Sequence, residues 1–226
     1  MSALPLPTLL LNLHNAAAAA GRPDPLLLAV SKTQPAEAVA ALAAQGQRAF
    51  GENYVQEAAA KIDALAALGL EWHLIGHLQS NKAELAAQRF DWVQSVDRPK
   101  LVAALAAHRP AALAPLNVLI QVNIDDEDSK HGCAPEDVPA LAAAIAAAPR
   151  LQLRGLMAIP APWPQAERRQ QAFARMRALF DTLAAAHPQL DTLSMGMSSD
   201  YAEAIAHGAT LVRIGTALFG ARPRPA

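Results

Sequence analysis

Cysteine is almost absent. Cys133 is the only one in 226 residues, so no intrachain disulfide can form, and a reducing cytoplasm is the simplest setting. Aromatic residues are scarce at 4%, yet hydrophobic residues reach 53%, much of this alanine, a balance that suits a helix-rich globular chain. An excess of either charge is missing too. The 19 basic and 20 acidic residues are mixed along the chain, and the formal net charge is −1. With no basic stripe, nothing points to nucleic acid. No apolar run reaches the roughly 18 uninterrupted residues of a membrane span. No Gly-x-Gly-x-x-Gly follows the first strand and no P-loop occurs, which argues against a nucleotide site of either kind. Residues His73 and His77 lack cysteines or carboxylates at ligand spacing, which argues against a metal site.

What is present is alternation. Residues 4–20 read as a leading amphipathic helix: no basic segment precedes them, and Asn12, His14 and Asn15 interrupt the apolar run, against a signal peptide. Apolar strand candidates follow at 26–30 (with Ser31 and Lys32 just past it), 48–53, 72–77, 92–96, 116–124, 151–158, 192–197 and 210–215. Helical stretches separate them at 36–45, 56–68, 81–88, 99–107, 139–148, 167–186 and 200–207. Eight alternating units in a chain of this length predict a single (β/α)8 barrel domain, with a leading helix over about 1–21 and a tail from about 221. A doubly wound open sheet is the alternative.

In such a barrel the functional groups stand at the C-terminal strand ends. Those ends read Lys32, Glu52-Asn53, His77, Ser95 to Asp97, Asn123, Met157, Ser198-Ser199 and Gly215-Thr216. A lysine closing a buried strand can simply extend its ammonium to solvent. Desolvated, it becomes a nucleophilic amine suited to a Schiff base. The last two strands end in SMGMSSD and RIGT, small and hydroxyl-bearing turns that let backbone amides approach a phosphate. Ser198 or Ser199 can equally serve only as a helix cap. Arg213 should share a face with Gly215, and a buried arginine needs an acceptor: a structural carboxylate, or the ring nitrogen of a pyridine. Lysine plus a phosphate cradle suits an aldehyde that carries a phosphate, such as pyridoxal 5′-phosphate. Met195 and Met197 are expected to pack around the ring, and Cys133 to be a loop thiol of no special reactivity.

The motifs AVSKTQP, FGENYVQE, WHLIGHLQSNK, VNI with SKHG, RGLMAIP, LSMGMSSD and VRIGTALFG occur in that order. Together they closely resemble the YggS/PROSC family, the pyridoxal-phosphate homeostasis proteins, over nearly the whole chain. The resemblance implies a fold-type III barrel shared with the alanine racemase N-terminal domain and eukaryotic-type ornithine decarboxylase. It implies that Lys32 is the Schiff-base lysine and that Asn53 lies beside the cofactor. It places the phosphate on Ser198, Gly215 and Thr216, and the pyridine nitrogen on Arg213. Two positions depart from the family pattern: His131 follows Lys130 where a serine is usual, and Arg224 stands in the tail where an aromatic is usual.

An arginine at the pyridine nitrogen disfavours its protonation, which makes the ring a poor electron sink. Alanine racemase, which shares that arginine, adds a tyrosine base from a second domain and a partner subunit. Here a second domain is not expected, and Tyr54 and Tyr201 lack the context of that base. The leading reading is therefore a cytoplasmic, monomeric carrier of pyridoxal phosphate with no robust turnover, serving apo-enzymes that need the cofactor. An amino-acid racemase or related pyridoxal-phosphate enzyme is the alternative, and a cofactor-free class I aldolase the third. Lys130, in an acidic loop after the fifth strand, is a candidate second amine that takes the cofactor from Lys32; a plain charge balance is its simpler role.

Overall fold

The structure, a computed structural model, describes residues 3–125 and 131–220. Eight parallel strands close in sequence order into a barrel: β1 (Leu26–Val30), β2 (Ala49–Glu52), β3 (Glu71–Leu74), β4 (Trp92–Val96), β5 (Leu116–Gln121), β6 (Leu151–Met157), β7 (Thr192–Ser194) and β8 (Leu211–Ile214). The helices between them form the outer layer: α2 (Ala36–Ala43), α3 (Val55–Ala64), α4 (Ala83–Arg89), α5 (Pro99–His108), α6 (Val138–Ala146), α7 (Ala166–Ala186) and α8 (Tyr201–Ala206). Strands buried on both faces need apolar residues throughout, which is why they stand out as continuous aliphatic runs.

The helix α1 (Leu6–Ala19) precedes the barrel. Its buried residues Leu6, Leu9, Leu13 and Ala17 recur every three or four positions and form one stripe, which lies against α8 and the C-terminal helix α9 (Thr216–Phe219). Full burial of Leu9 contributes roughly 2 kcal/mol.

Alternation along each strand divides the core in two. Leu27, Phe50, Trp72, Leu74, Val212 and Ile214 belong to the large cluster between strands and helices. Their neighbours Leu28, Ile75 and Leu211 fill the barrel interior, as do Trp92, Leu119 and Met157. At the N-terminal end of the strands the guanidinium of Arg154 lies 4.8 Å from the Trp92 ring centre and also pairs with Asp191.

The barrel and its order match expectation, but several strands are shorter. β1 does end at Val30 as read, and Thr33 then turns the chain at φ 65°, leaving Lys32 on the turn beyond the strand. β3 ends at Leu74, so His77 is a loop residue and does not share a strand face with His73. β5 ends at Gln121; past it only an isolated bridge joins Val122 to Cys133. β7 is three residues long, because Gly196 adopts φ 93° and bends the chain away. The helix expected over 56–68 is α3 followed by a separate 3-10 turn, Ala66–Leu68, and α9 was not foreseen.

Candidate functional site

The six residues expected to hold the cofactor, Lys32, Asn53, Ser198, Arg213, Gly215 and Thr216, lie on or just past four adjacent strands, β7, β8, β1 and β2. Ser31 extends the ladder by one bond, its amide donating to Gly51 O at 2.9 Å. Its hydroxyl points to the helix layer and donates to Glu52 Oε1 at 2.5 Å. Lys32 follows on the turn just past the strand and is half-buried. Asn53 follows β2 on one flank of Lys32, and Gly215 follows β8 on the other.

Two glycines set the spacing at the C-terminal mouth of the barrel. A Cβ on Gly215 would meet Val30 O at 3.2 Å, so a larger residue there would push the β8 exit away from the Lys32 turn. A Cβ on Gly76 would lie 2.2 Å from Asn53 O, so only glycine lets the β3 exit pass behind Asn53. Ser198 and Thr216 meet the same corner: the Ala217 amide donates to Ser198 Oγ at 3.5 Å, and Thr216 is exposed at the first position of α9. This corner offers hydroxyls and chain-end amides, the donors an anion takes.

Arg213 lies inside the barrel on the interior face of β8, 3% exposed. Its Nη1 donates to Ser194 Oγ at 2.7 Å and its Nη2 to Ala158 O at 2.8 Å. Among the described residues no carboxylate pairs with it directly; Asp200 helps only through its longer-range field, and burial pulls the guanidinium down to about 10. An arginine held this way suits a neutral or anionic acceptor at the mouth.

The turn that carries Lys32 is clamped from outside by α3, which the sequence reading missed. Lys61 of α3 is buried and donates to Glu52 Oε1 at 2.6 Å and to Ser31 O at 3.0 Å. Glu57, one turn earlier, accepts from the Thr33 amide at 3.0 Å. Burial pushes the Glu52 carboxyl up, against the opposing pull of its bonds to Lys61 and Ser31. The signal was available: Val55, Ala58 and Lys61 recur at three-residue spacing on the buried stripe of α3, which puts a lysine on the wrong face for solvent.

Beside the mouth a cleft of about 400 Å³ is lined by Asn53, Tyr54, Gln56, Gly76, His77 and Lys82. His77 stacks on His131 with ring centres 3.7 Å apart, and burial, then His131, push its pKa down. Met195 is buried in the cluster against the helices, so it does not pack at the mouth as expected; it follows β7 with the opposite parity to Ser194. Cys133 is buried, and burial pushes its thiol up to about 12, in keeping with a thiol of no special reactivity. Lys130 and Arg224 lie outside the described residues.

A profile of the family described as "Alanine racemase, N-terminal domain" matches residues 6–223. A pyridoxal phosphate homeostasis protein of Pseudomonas aeruginosa is 57% identical over 213 residues, 93% of this chain and 91% of its own length. The chain belongs to this family. The Escherichia coli K12 protein of the same name is 55% identical over 199 residues, 87% of this chain and 85% of its own. Among solved structures, PipY of Synechococcus elongatus with pyridoxal phosphate bound is 39% identical, with a TM-score of 0.80, and the match covers 92% of this chain and all of PipY. The family assignment accounts for the barrel and for the order of the motifs from AVSK to RIGT.

The residues present fit that cofactor. A lysine, an anion-suited corner and a buried arginine without a direct carboxylate share one mouth, on neighbouring strands.

Proposed function

We propose that the chain binds pyridoxal 5′-phosphate at this mouth and carries or buffers it, without turnover of its own. One observation carries the reading: β1 and β8 pair side by side, so the Lys32 turn lies against the Gly215–Thr216 corner while Arg213 lies beneath it. The names of the relatives and the bound ligand of PipY support it. When bound, the cofactor supplies an aldehyde that an amine captures reversibly with loss of water. Lys32 offers that amine. Ser198, Thr216 and the amides around Gly215 hold the phosphate, and Asn53 borders the ring. Arg213 donates to the ring nitrogen and keeps it unprotonated, which withholds the electron sink that turnover requires.

The tyrosines also favour carriage over catalysis. Tyr201 opens α8 and packs against the core, and Tyr54 is 61% exposed at the N-cap of α3. We place the protein in the cytoplasm as a monomer that serves cofactor-requiring apo-enzymes; no described helix is long and apolar enough to cross a membrane. The test is an absorption titration of the purified protein with pyridoxal phosphate, alongside Lys32→Ala. A new long-wavelength band in the wild type and none in the variant is the expected result. No band in either protein overturns the reading, and racemisation of free amino acids at enzymatic rates overturns the carrier role.

A further inference from the structure

The barrel interior holds a continuous polar chain that the site above does not absorb. Glu71 Oε1, at the N-terminal mouth, lies 2.8 Å from His73 Nε2. His73 Nδ1 lies 2.9 Å from Gln94 Nε2. Gln94 Oε1 accepts from Ser194 Oγ at 2.7 Å, and Ser194 Oγ accepts from Arg213 Nη1 at 2.7 Å. Five side chains from β3, β4, β7 and β8 thus link one mouth of the barrel to the other. The middle three are 1% exposed or less.

The two ends fix the sense of the chain. A guanidinium only donates and a carboxylate only accepts. Ser194 receives a proton from Arg213, so its own single proton goes to Gln94 Oε1. The Gln94 amide is then turned with its NH₂ toward His73 Nδ1, which must be bare. Burial pushes the His73 pKa down, so the ring is neutral and its one proton sits on Nε2, facing Glu71. Every bond donates in the same direction, from Arg213 to Glu71. Bonds aligned in this way strengthen one another in a low-dielectric interior. The chain also explains how a buried arginine without a direct carboxylate is tolerated: the counter-charge reaches it through three neutral groups.

We propose that Ser194, Gln94 and His73 are positioning residues, which hold the Arg213 guanidinium in one orientation against the ring nitrogen of the bound cofactor. This rests on the cofactor reading above. The chain has no part in holding the phosphate, so its effect is confined to the ring.

The probe is a pair of ligands, pyridoxal phosphate and its 1-deaza analogue, in which C–H replaces the ring nitrogen. Both carry the same aldehyde and phosphate. The wild type is expected to prefer pyridoxal phosphate by about tenfold or more, the worth of one charge-assisted hydrogen bond. Ser194→Ala and Gln94→Leu should each shrink that preference severalfold while binding of the analogue changes little. Glu71→Gln, at the half-exposed end, should shrink it about twofold. A second readout needs no ligand: the ¹⁵N spectrum of His73 in the free protein should show a neutral ring protonated at Nε2. A preference left intact by Gln94→Leu overturns the chain, even if Ser194→Ala reduces it. A His73 proton found on Nδ1 overturns its sense. If the wild type binds neither ligand, the cofactor reading fails, and the His73 spectrum alone then decides whether the chain exists.

Discussion

Replacing Lys61 by methionine isolates the clamp beneath Lys32. The side chain keeps its length and loses its charge. Lys61 and Glu52 are 5% and 1% exposed and 2.6 Å apart, so the pair is buried, and Glu52 Oε2 has no other partner. The variant leaves a buried carboxylate held only by the Ser31 hydroxyl. Breaking such a pair from one side costs about 3–5 kcal/mol. Replacing both partners, Glu52→Leu with Lys61→Met, should return most of that loss, because no charge is left buried. The sign of the pH dependence follows from Glu52. Its folded pKa lies above its ordinary 4.5, chiefly through burial, so it contributes stability that is fully present below 4.5 and is lost as pH rises through the folded pKa. Losing Lys61 raises that folded pKa further. The deficit of Lys61→Met against wild type is therefore small in acid and grows toward pH 8, by up to about 1.4 kcal/mol per pH unit. Urea unfolding of the ligand-free proteins at pH 5 and pH 8 measures it. A deficit equal at both pH values, or a double variant worse than the single one, would refute the buried-pair account.

Three further outcomes follow from the same geometry. Ser198→Ala should weaken binding of pyridoxal phosphate by on the order of 1.5–3 kcal/mol and leave pyridoxal binding nearly unchanged; equal loss for both ligands in a titration removes Ser198 from the phosphate corner. Thr33→Gly should raise stability by on the order of 1 kcal/mol, because a β-branched residue at φ 65° is strained; thermal unfolding that shifts downward would contradict this. Glu57→Gln removes a charged acceptor from the Thr33 amide 3.0 Å away, and should speed hydrogen exchange at that amide severalfold without altering the far side of the barrel.

The barrel was legible in the sequence because parallel strands covered on both faces cannot hide their apolar runs, and each run was separated by helix-length stretches. Strand ends were less legible. Nothing short of the backbone itself shows that Thr33 turns left-handed just past Lys32. Gly196 looked like one more small residue of the β7 motif, but its φ of 93° ends the strand early, and Met195 faces the helices by simple alternation with Ser194. The lysine, the small-residue corner and Arg213 were found because they close strands or interrupt them. Lys61 was missed as one charge in a polar helix, although its place on the buried stripe marked it. His73, Gln94 and Ser194 could not be joined by inspection. Gln94 and Ser194 are 100 residues apart, and only the closed barrel puts them in contact.

If Lys32 takes the cofactor, the place of attachment can be read directly. The protein is loaded with pyridoxal phosphate, reduced with borohydride so that any lysine adduct becomes permanent, digested, and mapped by mass spectrometry. The chain has five lysines, Lys32, Lys61, Lys82, Lys100 and Lys130. The adduct is expected on the peptide that carries Lys32, in near-stoichiometric amount, and should be lost in Lys32→Ala. An adduct found only on Lys61, Lys82, Lys100 or Lys130 would contradict it.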